Sequence, residues 1–386
     1  MTVEPSTTAS PTYDFAIIGA GIVGATIAYQ LAPHARVLIL EAESAPGYHT
    51  TGRSAALYEP SYGPPAVRAL TRASREFFDH PPAGFADAPL LTPRGCLFVG
   101  PAETEAEARH LESTLKAEGG NVRWVGPDEA LAMVPVLRPE AAHAALFDTN
   151  AFDIDVDGLL QGYLRGARAA GASLETRARV ARLERNDSSW RVSCDDGREF
   201  TASVVVDAAG AWADPVAELA GVAPLSIEPR RRSAFLFRPP EGMDVRAWPA
   251  VIAVDESWYF KPDAGQLLGT PANADPVPPH DVVPEEIDVA TGIYRIESAT
   301  TLEIRRPTHT WAGLRCFAPD GEPMLGYDAQ VPGFFWAAGL GGFGVQSSPA
   351  VGMLCAALLR KAPLPAALTA ASVDPAAVSP QRVRTA

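Results

Sequence analysis

Hydrophobic runs broken by glycine turns organise this chain from its first ordered segment. Phe15-Ala16-Ile17-Ile18 is a continuous apolar run that stops on Gly19-Ala20-Gly21-Ile22-Val23-Gly24. The pattern predicts a buried strand, a tight turn and a helix over Ile22–Leu31, closed by Pro33. A second apolar run, Val37-Leu38-Ile39-Leu40, ends on Glu41 and completes a β-α-β unit. Residues 46–56 are rich in glycine and hydroxyls and read as a loop. Residues 66–78 place Val67, Leu70, Ala73 and Phe77 on one helical side. Then the pattern changes, to a strand at 90–99, a charged exposed helix at 103–117 and a short helix at 127–134.

A second α/β stretch starts near Asp153. It predicts a helix over 158–170, short strands at 173–176, 179–183 and Trp190–Cys194, and the run Ser203-Val204-Val205-Val206, which stops on Asp207-Ala208-Ala209-Gly210. An apolar run ending on small residues is a buried parallel strand that delivers backbone to a ligand. Residues 227–268 instead alternate apolar and polar, as an antiparallel sheet does. The chain closes with a strand at 333–338, the run Gly339-Leu340-Gly341-Gly342-Phe343-Gly344 and a helix to Leu359. The fold class expected is α/β, a Rossmann-like dinucleotide-binding domain with a second α+β domain on an antiparallel sheet. The first would take 1–83, 147–225 and 311–386, with 1–12 a loose tail; the second would take 84–146 and 226–310.

The opening turn has the spacing that a dinucleotide requires. Gly19 permits the turn, Gly21 lets a pyrophosphate approach the main chain, and Gly24 lets the helix pack closely. The phosphates then meet unpaired N–H groups at a helix N-terminus. Glu41 is placed to accept from a ribose, and an acid there disfavours a 2′-phosphate.

The 386 residues leave room for both domains. With 32 basic and 46 acidic residues the net charge is −14, which gives no support to a nucleic-acid or anionic-membrane partner. Cys96, Cys194, Cys316 and Cys355 have neither CxxC nor metal-ligand spacing, so reduced thiols in a cytoplasmic protein are expected, with no metal site. No apolar run reaches the roughly 20 residues of a membrane helix.

Four segments carry a family resemblance: Gly47-Tyr48-His49-Thr50-Thr51-Gly52-Arg53-Ser54-Ala55-Ala56, Arg231-Arg232-Ser233-Ala234-Phe235, Trp258-Tyr259-Phe260-Lys261-Pro262-Asp263-Ala264-Gly265 and Trp311-Ala312-Gly313-Leu314-Arg315. With them the chain resembles the FAD oxidoreductases of the D-amino-acid oxidase superfamily, and within these the D-arginine or broad D-amino-acid dehydrogenases. The resemblance implies FAD, held without a covalent bond. Gly19, Gly21, Gly24 and Glu41 would take its ADP half, Thr51, Gly52, Arg53, Ser54, Ala55 and Ala56 would pass under flavin and pyrophosphate, and Val180 would offer backbone to adenine. The turn through Ala209 and Gly210, with Trp212, and the run Gly339, Leu340, Gly341, Gly342, Phe343 and Gly344 would line the rest. Glycines opening a helix would aim its positive end at the flavin N1–C2=O region. Cys316 is expected to be a buried thiol.

The implied reaction moves a hydride from Cα of a D-amino acid to flavin N5, giving an imino acid that hydrolyses to a 2-oxo acid and ammonia. Arginine forks suit the substrate carboxylate. The resemblance places this task on Arg232 and Arg315, helped by the Tyr259 hydroxyl, and amine binding on the loop 58–65, read as a lid, with Tyr62 capping the substrate and a carbonyl of the Gly341-Gly342 turn accepting the second amine hydrogen. Strand parity lets only one of Arg231 and Arg232 enter a pocket. No dedicated base is apparent. Two positions depart from the D-arginine pattern: Leu57 stands where relatives have histidine, and Cys96 where they have the glutamate that grips a guanidinium. A preference for neutral or apolar D-amino acids is therefore expected. A secondary-amine or L-amino-acid oxidase of the same fold is the alternative, a non-catalytic flavin protein a more distant one. The electron acceptor, oxygen or a quinone, stays open.

Overall fold

The computed structural model describes residues 12–384 except Glu118 and Asp187. The tail expected at 1–12 lies outside the described residues apart from Thr12, which opens the first strand.

Two large sheets share the chain. In the first, Thr12–Ile18 lies between Val37–Leu40 and Glu199–Asp207, all parallel, as continuous apolar runs buried on both faces demand. Ser173–Glu175 extends it beyond Val37–Leu40. Glu199–Asp207 is divided along its outer edge: its first half pairs antiparallel with Trp190–Cys194, its last residues parallel with Phe334–Ala338. The helices Ile22–Leu31, Val156–Ala169 and Ser348–Arg360 pack on one face around Ile17, Ile27, Leu31, Tyr163 and Leu354, all fully buried.

The second sheet is mostly antiparallel. Its order begins at Leu340–Gly341 and His309–Phe317, passes through Glu228–Phe237, Gln266–Thr270, Tyr259–Asp263 and Ala250–Ala253, and ends at Cys96–Gly100, Ala144–Asp148 and Val122–Val125. Ala250–Ala253 against Cys96–Gly100 is a parallel pair within it.

The elements expected from hydrophobic pattern differ from these mainly at the edges. The stretch 90–99 is two strands, Leu91–Pro93 and Cys96–Gly100, because Gly95 at φ +69° breaks it. Sequence assigned everything from 311 onward to the dinucleotide part. His309–Phe317 instead hydrogen-bonds along nearly all of Glu228–Phe237 in the second sheet, since its alternating burial suits a half-covered antiparallel strand. The glycine run also does not open the last helix: Val345, Gln346 and Ser347 intervene before Ser348.

Candidate active site

The glycine turn is built as its spacing predicts. Gly19 has φ +102°, and a Cβ there would press on the Ala208 carbonyl. A Cβ on Gly24 would overlap the Gly19 carbonyl oxygen, so helix and turn meet backbone to backbone. Gly21 caps the helix without a side chain, and with Ile22 and Val23 it lines a cavity of about 910 Å³. Glu41, buried, accepts from Ala20 N at 2.8 Å and from Glu43 N at 2.9 Å, which fixes its carboxylate at the mouth of the turn.

The loop 47–56 is held from both sheets. Thr51 Oγ1 accepts from Ile22 N at 3.0 Å, and Thr50 Oγ1 donates to Leu314 O at 2.8 Å. Arg53 donates to the carbonyls of Val282 and Ala312, each at 3.0 Å, and pairs with Asp281. Gly52 closes the turn, donating to Gly47 O at 2.8 Å. This loop therefore joins the dinucleotide sheet to His309–Phe317.

The cavity runs from Glu41, Val180 and Trp212 along Thr51, Arg53, Ser54, Ala55 and Ala56, past Ala209 and Gly210, to Gly339, Leu340, Gly341, Gly342, Phe343 and Gly344. Gly210 has φ +60° and open space around its missing Cβ. Arg232, Arg315, Tyr259, Tyr62 and Leu57 line the far end. Of the residues expected at the site, Gly24, Gly52 and Cys96 do not line it: the two glycines act behind the wall, and Cys96 is fully buried.

Register explains the arginine pair. Arg230 lies opposite Arg315 and Arg232 opposite Gly313, so Arg232 and Arg315 are diagonal neighbours on one face. Arg231 points the other way, into Asp288 at 3.0 Å, Glu285 and Asp275. Arg232 Nε donates to Asn273 O at 2.6 Å. Among the described residues neither Arg232 nor Arg315 has a carboxylate partner. Arg315 lies between the rings of Phe317 and Phe343, 5.7 and 5.5 Å from their centroids. It also fills the space where a Gly342 side chain would stand. Burial, then the neighbouring Arg315 charge, pull the Arg232 guanidinium below its ordinary range. Burial pushes the Tyr259 phenol up against the opposing pull of both arginines, so it stays a donor. Two cations facing one another around a buried phenol have the donors to hold an anion.

The cradle fits a dinucleotide: glycines admit its phosphates to the main chain, Glu41 stands at the mouth of the turn, and Gly339 to Gly344 line the cavity further on. A family model described as "FAD dependent oxidoreductase" matches residues 14–358. The chain belongs to this FAD-dependent oxidoreductase family. Its cofactor is FAD. Glycine oxidase of Geobacillus kaustophilus (strain HTA426) is 29% identical over 364 residues, covering 90% of this chain and 93% of that one. The crystal structure of glycine oxidase from Geobacillus kaustophilus superposes with a TM-score of 0.78 at 26% identity, over 91% of this chain and 95% of that one. L-alpha-glycerophosphate oxidase from Mycoplasma pneumoniae with FAD bound shares the fold at a TM-score of 0.80 and 18% identity, over 91% and 95%.

In this flavoenzyme Cys316 lines the cavity, but burial pushes its thiol up to about 12, which keeps it protonated and a poor nucleophile. The loop 58–65, expected to be a lid, is anchored at its start: Glu59 N donates to Gln346 Oε1 at 2.9 Å and Tyr58 OH to Thr71 O at 3.1 Å. Tyr62 sets its ring edge on Phe343, centroids 5.1 Å apart. Sequence reasoning gave Glu59 no role of its own within the amine-binding loop and missed Gln346; both line the cavity and both are buried. The signal was there: an acid without a nearby base in the stretch Tyr58-Glu59-Pro60-Ser61-Tyr62.

Proposed function

We propose that this flavoenzyme oxidises a D-amino acid at Cα to the imino acid, which water then converts to a 2-oxo acid and ammonia. The observation that carries this reading is the pair Arg232 and Arg315, turned into the cavity beside Tyr259 with no carboxylate hydrogen-bonded to either among the described residues, Glu256 acting on Arg232 only at a distance. FAD, when bound, supplies the acceptor for the hydride that leaves Cα. The two guanidinium groups and the phenol hold the substrate carboxylate, and an anion there relieves the repulsion that the buried cations exert on each other. Tyr62 and Phe343 close the site against water over the amine. With no residue assigned as base, the ammonium proton goes to solvent before the hydride leaves, so the rate of flavin reduction rises with pH until the bound amine is neutral. The resemblance in motif supports the D enantiomer, and the glycine oxidase relative supports an amino-acid substrate.

Anaerobic mixing with paired D- and L-amino acids tests this directly. Bleaching of the flavin absorbance by the D partner alone is expected. Reduction only by L-amino acids or N-alkyl glycines would overturn the D assignment, and no reduction by any amine would overturn the amino-acid reading. Repeating the panel with oxygen and with a quinone identifies the acceptor.

A further inference from the structure

Away from the arginine pair, the cavity wall holds polar groups that the carboxylate anchor leaves unused. Glu59, Ser61 and Gln346 line it, and Asp148 stands with Cys96 behind Glu59. Glu59 and Gln346 are 4% exposed and Asp148 0%. Ser61 N donates to Glu59 Oε1 at 3.0 Å. Glu59 Oε2, Ser61 Oγ, Asp148 Oδ2 and Gln346 Nε2 make no hydrogen bond of good geometry, although the Ser61 hydroxyl and the Cys96 thiol lie close to the Glu59 carboxyl and Asn121 N close to Asp148. Four buried polar atoms left open at one place is a concentration that folded proteins keep only for a reason.

Sheet order places this cluster relative to the anchor. Arg232 and Tyr259 lie on strands two apart, and Cys96 lies two strands beyond Tyr259, roughly 10 Å further across the sheet. Ile252 pairs with Tyr259, and Phe98 with Ile252, so these three share the face that lines the cavity between anchor and cluster. An α-amine is two bonds from its carboxylate carbon and stays beside the arginines. A long side chain lying along Ile252 and Phe98 leads to Cys96, against which the Glu59 carboxyl is set.

Resting on the amino-acid reading above, we propose that Glu59, backed by Asp148, is a specificity subsite for the cationic end of a basic side chain. As the cation enters, the Glu59 carboxyl gives its proton to solvent and the carboxylate pairs with the cation. Burial first, then the Asp148 carboxylate, push Glu59 up to about 7, and burial raises Asp148 as well. The other groups nearby do not supply the missing charge. The Cys96 thiol and Tyr58 phenol are held neutral by burial, and Lys261 and Arg94 both turn to Asp153, at 2.7 and 2.6 Å. The preference for neutral side chains expected from Leu57 and Cys96 then holds only on the acid side of the Glu59 transition.

The test uses the holoenzyme, D-lysine and its neutral near-isostere D-norleucine in anaerobic reduction between about pH 5.5 and 8.5, where α-amine titration is common to both and cancels in the ratio. The ratio of D-lysine to D-norleucine specificity should rise about tenfold per pH unit and level off once Glu59 is ionised. In Glu59→Gln the ratio should be flat and at least about tenfold lower at the alkaline end; in Asp148→Asn the rise should move to lower pH. A flat ratio in the unmodified enzyme, or a Glu59→Gln that weakens both substrates alike, overturns the subsite while leaving the amino-acid reading intact. If no amino acid reduces the flavin, that reading fails. The subsite is then decided by butylammonium binding, followed through the flavin spectrum: tightening with pH that Glu59→Gln abolishes supports it, and its absence overturns it.

Discussion

The two ends of the cavity are built by different rules. The dinucleotide end is made of backbone: Gly19, Gly21 and Gly24 act through what they lack, within six residues of one another, and Glu41 is fixed by main-chain N–H groups. The substrate end is made of side chains from distant strands. Arg232 and Arg315 share a face because of register, and Glu59 meets Asp148 and Gln346 across three separate parts of the chain. Local spacing suffices for the first end, whereas the second exists only in the assembled sheet.

Substitutions at each end should therefore fail in different ways. The largest effect is expected from Arg315→Met, which removes one of the two forks that hold the substrate carboxylate: kcat/KM should fall about 10² to 10³-fold while the flavin absorbance of the purified protein is unchanged. Loss of FAD in that variant would break the division between ends. Gly24→Val should do the reverse. Its side chain meets the Gly19 carbonyl, which has no room to retreat, so FAD content should drop about tenfold or more, measured by absorbance after heat release. Gly342→Ala sharpens the comparison, since this glycine yields to a side chain rather than to backbone. Arg315 can move aside, so FAD should stay bound and kcat/KM should fall about tenfold through a misplaced guanidinium. An unchanged kcat/KM would show that Arg315 does not need the space above Gly342.

Much of the dinucleotide end was legible because its determinants are local. The helix Ile22–Leu31 and the strand Trp190–Cys194 follow residue for residue from their patterns, and Gly19 carries the positive φ that its turn demands. At the substrate end strand parity alone separated Arg232 from Arg231, and the acids around Arg231 bear this out. What parity could not give was company. Cys96 read as a lost polar contact, yet it packs behind Glu59, which restores an acid to the wall. Nor could it give the anchor of the Gly- and Pro-rich loop 58–65, whose start Gln346 holds from nearly three hundred residues away.

By itself the sequence determined the β-α-β unit, the glycine cradle and the alternation of the second sheet, because each depends on residues close along the chain. Only the tertiary structure decided that His309–Phe317 joins the second sheet, that register makes Arg232 and Arg315 diagonal neighbours with no acid hydrogen-bonded to either, and that Glu59 faces Asp148 in a buried wall. The physical reason is that register and burial are set by packing over long sequence separations, and the charge state of a buried group follows from the neighbours that packing brings to it.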